Sequence, residues 1–102
     1  MNVTDCRPEV QAFAVAMEET LRGNDHKGYT GWKNSNKRYL FRRLLEEAEE
    51  LREASGTWCH ICGHPPSTKS AEEIRREAAD VGNFAMMLAD RCGALLGREA
   101  KP

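Results

Sequence analysis

Apolar residues recur every three to four positions in three long stretches of this chain, and strand signals are almost absent. The first predicted helix covers about 8–22, with Pro8 suited to a first helical turn. The second covers about 35–54 and stops at Gly56. The third begins at Ser70, where the sequence SAEE has the form of a capping box, and continues to about residue 95. The periodicity therefore predicts an all-α protein.

Length and charge exclude several classes of protein. A chain of 102 residues fits one domain, here 1–102, and its 15 Lys+Arg against 16 Asp+Glu argue against a nucleic-acid binder. Its longest apolar run, 84–89, is far shorter than the ~20 residues of a membrane span. Residues 1–7 lack the charged-then-apolar pattern of a signal peptide. We therefore expect a cytoplasmic protein that binds neither nucleic acid nor membrane.

The third helix indicates self-association. Between residues 84 and 89 it is apolar nearly all round, and a helix that is hydrophobic on every side is buried on every side. Three helices in a chain of this length supply too little cover. We expect a bundle of three to four helices that is completed by homo-oligomerisation, as a homodimer or a homotetramer.

Several carboxylates fall where apolar residues are expected. On the third helix Glu77 lies inside the apolar stripe, and Asp80 lies at its edge. That stripe consists of Ile74, Ala78, Val81, Ala85, Leu88, Cys92 and Leu95. On the second helix Glu47 borders the stripe, and Glu50 lies one turn further along. A buried carboxylate is costly unless it is paired or bound to a metal, which points to Mg²⁺ or Mn²⁺.

A second interpretation of these carboxylates is a solvated helix face paired with basic neighbours. It fits the acidic run 46–50, because five arginines could pair with these carboxylates: Arg42, Arg43, Arg52, Arg75 and Arg76. It fits Glu77 less well, since Arg75 and Arg76 point elsewhere on the wheel. The spacing alone leaves both interpretations open.

The carboxylates also form two recognisable motifs. The run 44–51 (LLEEAEEL), followed by 77–87 (EAADVGNFAMM), resembles the MazG-like all-α nucleoside triphosphate pyrophosphohydrolases. That family carries E-E-x-x-E on one helix and E-x-x-D on the next. The matching residues here are Glu46, Glu47, Glu50, Glu77 and Asp80. The segment 24–32 is similar to the His-Lys-Gly-Gly-Trp loop of the short phage-encoded members, and the likeness covers about 10–95.

The resemblance implies hydrolysis of a nucleoside or deoxynucleoside triphosphate to the monophosphate and pyrophosphate. It implies that Glu47, Glu50, Glu77 and Asp80 hold Mg²⁺ or Mn²⁺, and that Glu46 binds a further ion or orients the attacking water. By analogy with the short phage members, the substrate belongs to a phage or cellular dNTP pool, with dGTP and dATP as candidates.

Other residues are candidates for holding the nucleotide, each with a plainer alternative. Phosphate oxygens could be met by Lys27, Lys33, Lys37 and Arg38, and the base by stacking on Trp32 or Tyr29 and by hydrogen bonds from His26 and Asn83. The alternatives are that Trp32 anchors the core, that His26 caps a loop, and that Lys37 and Arg38 are solvent-exposed charges.

A Cys- and His-rich loop at 57–69 is not part of the family pattern. Cys59, Cys62 and His64 have zinc-ligand character. A fourth ligand could come from His60, Cys6, Cys92 or a partner subunit, and an unliganded thiol loop or a redox pair are alternatives. The competing function is therefore a non-enzymatic, zinc-stapled helical binding module. It gives no reason to place Glu77 inside an apolar stripe, so the sequence favours the enzyme.

Overall fold

The computed structural model describes residues 1–25, 31–56 and 69–96, and within these it contains helices and no strand. The long helices are α1 (Pro8–Gly23), α2 (Lys37–Ser55) and α3 (Ala71–Arg91). Short 3₁₀ turns, Val3–Asp5 and Gly31–Asn34, precede α1 and α2. The all-α prediction is confirmed for this part of the chain. No helix in it is long and apolar enough to cross a bilayer.

Side-chain caps fix where α2 and α3 begin. The Asn36 side chain accepts a hydrogen bond from the backbone N–H of Arg38 at 2.7 Å, so α2 begins two residues after the predicted start. The Ser70 hydroxyl accepts from the backbone N–H of Glu73 at 3.1 Å, as the SAEE sequence predicts. Both caps satisfy N–H groups that have no partner within the helix.

Glycines in the left-handed region end the same two helices. Gly56 follows α2 with φ 68°, and Gly93 follows α3 with φ 72°. Beyond Gly93 the N–H of Ala94 bonds back to the carbonyl of Ala89 at 3.0 Å, which is the Schellman pattern. The third helix therefore ends at Arg91, four residues earlier than its apolar periodicity predicts.

Helix α3 is the centre of the fold, because α1 and α2 both pack against it and make almost no contact with each other. On α2 the buried residues are Leu40, Glu47 and Ala54, seven residues apart, so one face of α2 is turned to α3. On α3 the buried residues are Ala79 and Asn83.

The apolar stripe of α3, predicted to face the interior, is not the face that the single chain buries most completely. On a helical wheel Ala79 and Asn83 lie on the opposite side of α3 from the apolar stripe. The stripe itself is half-buried at Ile74, Ala78, Val81 and Leu88 and exposed at Ala85, Cys92 and Leu95. None of the residues 84–89 is fully buried within the single chain. Small residues of α3 allow a close approach: Ala79 is fully buried, and Gly82 lies close to α1. The bulky side chains of the stripe are only partly covered by the single chain.

Gly82 provides a test of this close approach. A Cβ atom built there would lie 2.9 Å from Phe13 Cε2 and 3.2 Å from Met17 Sδ, both on α1. We expect Gly82→Val to lower the free energy of unfolding by about 2 kcal/mol through overpacking. Gly23→Val is the matched control, since nothing lies within 4 Å of that position. Urea unfolding followed by circular dichroism measures both, and equal stabilities would contradict the α1–α3 packing.

Candidate metal centre and adjoining cavity

Three carboxylates meet where α2 crosses α3. Glu47 lies in the middle of the buried face of α2, and Glu77 and Asp80 lie one turn apart on α3. One carboxylate oxygen from each lies within 4.8 Å of the others. Oxygen ligands at such separations are those that hard divalent cations prefer. The structure thus brings together three of the four predicted Mg²⁺ ligands.

Burial makes this cluster more than a surface charge patch. Glu47 is only 6% exposed, and Glu77 and Asp80 are half-buried. Glu47 Oε2 and Glu77 Oε2 are buried, and neither has a hydrogen-bond partner among the described residues. Burying an unpaired carboxylate oxygen is strongly unfavourable. A cation between these oxygens would remove that cost, so the donor set fits a divalent metal.

Burial and mutual repulsion make the clustered carboxyl groups harder to ionise. Burial, followed by a hydrogen bond and the charge of Glu50, raises the pKa of Glu47 to about 7, against a lowering by Arg43. Burial and the charges of Glu50 and Asp80 also raise the pKa of Glu77. Burial and Glu50 likewise raise the pKa of Asp80. Glu50 is exposed, but it is close enough to the other three carboxylates to raise the pKa of each.

Arg43 is the direct partner of the cluster. Its Nη2 lies 2.9 Å from Glu47 Oε1, its Nη1 donates to Glu46, and its guanidinium lies 5.3 Å from the centroid of the Phe84 ring. The sequence analysis named Arg43 only as one of five arginines that could pair with the acidic run. Its position one turn before Glu47 was the available signal.

The interpretation as a solvated, ion-paired face holds for part of the acidic run. Glu46 faces outward, is about half exposed and pairs with Arg43 and Arg42, so it stands apart from the three clustered carboxylates. Glu49 pairs with Arg52 on the helix surface. Glu47 alone of the run is buried. Exposed, ion-paired carboxylates and one buried carboxylate therefore lie side by side on one helix.

A cavity of about 340 Å³ opens between α1, α3 and the 3₁₀ turn Gly31–Asn34. Its lining includes Ala14, Met17, Glu18, Leu21, Trp32, Lys33, Asn83, Met86, Asp90, Leu95 and Leu96. Apolar side chains with a few convergent polar groups are typical of small-molecule sites. Three predicted nucleotide ligands, Trp32, Lys33 and Asn83, line this one cavity.

Asn83 carries an unsatisfied acceptor. It is 3% exposed, its Nδ2 donates to the carbonyl of Met17 at 3.1 Å, and its Oδ1 is buried without a partner in the described structure. It follows Asp80 by one turn, a rise of about 4.5 Å along the helix. Of the α3 residues that line the cavity, Asn83 is therefore the nearest to the acidic cluster along the helix.

Asp90 fixes the far wall of the cavity, and the sequence analysis missed it. Trp32 Nε1 donates to Asp90 Oδ2 at 3.0 Å, and Lys33 Nζ lies 2.6 Å from the same oxygen. Lys33 Nζ also lies 5.3 Å from the Trp32 ring centroid. The only signal was an acidic residue in the last turn of an otherwise apolar helix end, and its partners are more than fifty residues away.

Of the remaining predicted nucleotide ligands, the two in the described part of the chain are not brought to the site. Lys37 and Arg38 are exposed in the first turn of α2, as solvent charges would be. His26, Lys27 and Tyr29, and the zinc candidates Cys59, His60, Cys62 and His64, lie outside the described residues. Of the thiols offered as a fourth ligand, Cys6 is half-buried and Cys92 is exposed, and both are free.

Comparison with known proteins adds no relative. The chain matches no protein-family model, and no curated protein or solved structure is significantly similar to it. What the site can do is therefore judged from its own residues and geometry.

The shifted pKa values predict an unusual pH dependence in EDTA. Burial and the neighbouring Glu50 raise the pKa of Glu47 to about 7 in the folded state, whereas the unfolded chain has the ordinary glutamate pKa of 4.5. The folded state therefore binds more protons in this window, so stability falls as pH rises from 5 to 8. Glu47→Gln should flatten this decline and be about 2 kcal/mol more stable than wild type at pH 8.

Chemical denaturation at several pH values, with Glu53→Gln as the exposed control on the same helix, measures this effect. A wild-type stability that rises from pH 5 to 8 would show that Glu47 is ionised at little cost.

Proposed function

We propose that this protein is a Mg²⁺- or Mn²⁺-dependent nucleoside triphosphate pyrophosphohydrolase of the MazG-like type. The observation that carries the proposal is the cluster of buried Glu47 with half-buried Glu77 and Asp80, in which two carboxylate oxygens have no partner among the described residues. In the reaction, water cleaves the phosphoanhydride between the α- and β-phosphates. The products are the nucleoside monophosphate and pyrophosphate.

The carboxylates have separate roles in this proposal. Glu47, Glu77 and Asp80 would hold the metal, with Glu50 completing the set from the exposed side. A divalent cation there would neutralise phosphate charge and lower the pKa of a bound water. Glu46 has access to solvent but is paired with Arg43, so of the five motif residues it is the least engaged with the cluster.

The cavity between α1, α3 and the 3₁₀ turn Gly31–Asn34 would bind the base. Met17 and Met86 offer apolar contacts, the buried Oδ1 of Asn83 offers an acceptor to a base N–H, and Asp90 fixes the ring of Trp32. Lys33 lies at the same wall and could meet phosphate oxygens, though it is paired with Asp90. A purine or pyrimidine presents both the flat apolar surface and the N–H donor that this lining matches. The proposed substrate pool is deoxynucleotides, dGTP and dATP included, in the cytoplasm of a cell or of a phage host.

We also propose that two or four copies assemble. Large apolar side chains remain exposed on α2, where Phe41 is 50% and Leu45 57% exposed, and on α1, where Val10 is 50% exposed. The apolar stripe of α3 is likewise only partly covered. A second copy on these faces would complete the bundle and bury them.

The direct test measures pyrophosphate release from the common NTPs and dNTPs with Mg²⁺, with Mn²⁺ and with EDTA. We expect metal-dependent release from one or two of them. Glu77→Gln and Asp80→Asn should each lower turnover by about 100-fold or more, because metal ligands are lost. Both should stay folded, since removing a charge relieves repulsion within the cluster.

Glu53→Gln is the control for these variants, because Glu53 lies on α2 and faces solvent; it should leave turnover unchanged. Silence across the whole panel from folded protein would refute the proposal. That result would shift the balance to a zinc-stapled binding module.

The base cavity has its own test. Trp32→Ala should raise the KM for the preferred nucleotide about tenfold through lost stacking and apolar contact. Inhibition by inorganic pyrophosphate, which has no base, should be unchanged. Equal weakening of nucleotide and pyrophosphate would mean that Trp32 only supports the fold.

A further inference from the structure

Arg43 is bound to the Glu47 carboxylate, for which a cation at the cluster would compete. Its Nη2 binds one oxygen of Glu47 at 2.9 Å, while the other oxygen, Oε2, is buried and has no partner among the residues that the structure describes. The Arg43 side chain is about one-third exposed, whereas that of Glu47 is 8% exposed. The guanidinium therefore reaches the carboxylate from the solvent side.

Two contacts would keep Arg43 in place without Glu47. Its Nη1 donates to Glu46, outside the cluster, and its guanidinium lies over the ring of Phe84. Neither contact requires Glu47. Loss of the Glu47 bond would leave the guanidinium at the edge of the cluster with the Nη2 donor free.

Electrostatics then determines what that donor meets. A guanidinium and a divalent cation a few ångströms apart repel each other unless an anion lies between them. Arginine presents a rigid fork of donors that matches phosphate oxygens. In the proposed reaction the incoming anion at this place is the polyphosphate of the substrate.

We propose that Arg43 is an exchangeable counterion, which pairs with Glu47 when no metal is bound, yields that carboxylate to the cation, and then binds a phosphate oxygen of the nucleotide. This inference rests on the proposed function. It makes Arg43 both a competitor of the metal and a ligand of the substrate.

The test measures Mn²⁺ binding by electron paramagnetic resonance at pH 8, first with metal alone and then with inorganic pyrophosphate. Arg43→Gln should bind Mn²⁺ alone roughly fivefold more tightly than wild type, because a competing positive charge is gone. With Mn²⁺ saturating, it should bind pyrophosphate roughly tenfold more weakly, because a charged donor fork is lost. Neither readout requires turnover.

Arg42→Gln is the matched control. Arg42 is the neighbouring residue, pairs with Glu46 at 3.9 Å and lies over Tyr39, and no contact joins it to Glu47 in the described structure. It should leave both affinities unchanged. Arg43→Lys keeps the charge and loses the fork, so its Mn²⁺ affinity should match wild type while pyrophosphate binding recovers only in part.

Four results would overturn the inference. Weaker Mn²⁺ binding by Arg43→Gln would mean that Arg43 merely orients Glu47, and unchanged pyrophosphate affinity would mean that it does not meet phosphate. If wild type binds Mn²⁺ but Arg43→Gln and Arg42→Gln behave alike, the proposed function survives and this inference fails. If folded wild type binds no Mn²⁺, the proposed function fails and the inference with it.

Discussion

The burial of Glu47 between α2 and α3 is the constraint on which the rest of the structure depends. It lies at the centre of the buried face of α2, between Leu40 and Ala54, so the two helices cannot pack without removing its carboxylate from water. Removing that charge from solvent is costly. The fold therefore buries, at its main helix contact, an acidic group that Arg43 satisfies only in part, where a globular domain built for stability alone would have a leucine.

The organisation of α3 explains how the chain accommodates that anion. Its residue Gly82 lies close to α1, its carboxylates Glu77 and Asp80 turn to α2, and its bulky apolar stripe is left partly open. One helix thus serves three directions around its axis. Asn83 joins two of them, because it bonds to the backbone of α1 and follows Asp80 by one turn. Packing, the acidic cluster and the cavity are consequently placed by a single rigid element.

Local sequence signals predicted the helices well and the faces of α3 poorly. The Ser70 cap and the glycine stop at Gly56 depend on neighbours within a few residues, so the sequence contains them in full. Periodicity also identified Glu77 and Asp80 as out of place. It could not show that α3 packs through Ala79, because an apolar stripe does not specify whether a helix of the same chain or another molecule covers it.

The side-chain partners show the same limit. The bond from Trp32 to Asp90 joins residues far apart in the chain, and no spacing rule links them. Arg43 is different, since its distance to Glu47 is a standard helical pairing. The sequence does not show how deeply Glu47 is buried. Because Glu47 is buried, Arg43 is the counterion of a largely enclosed carboxylate and not a member of an ordinary surface ion pair.

Two reversible sources of positive charge act on the cluster. One is protonation of Glu47, since burial and its acidic neighbours raise its pKa to about 7; the other is the guanidinium of Arg43. A proton and a side chain can each be given up without unfolding the helices that carry the carboxylates. A permanently buried ion pair would have satisfied Glu47 Oε2 as well, and that oxygen has no partner among the described residues. Within the described part of the chain the cluster is thus neutralised only in part, and this is the reason for proposing a bound cation as the source of the missing positive charge.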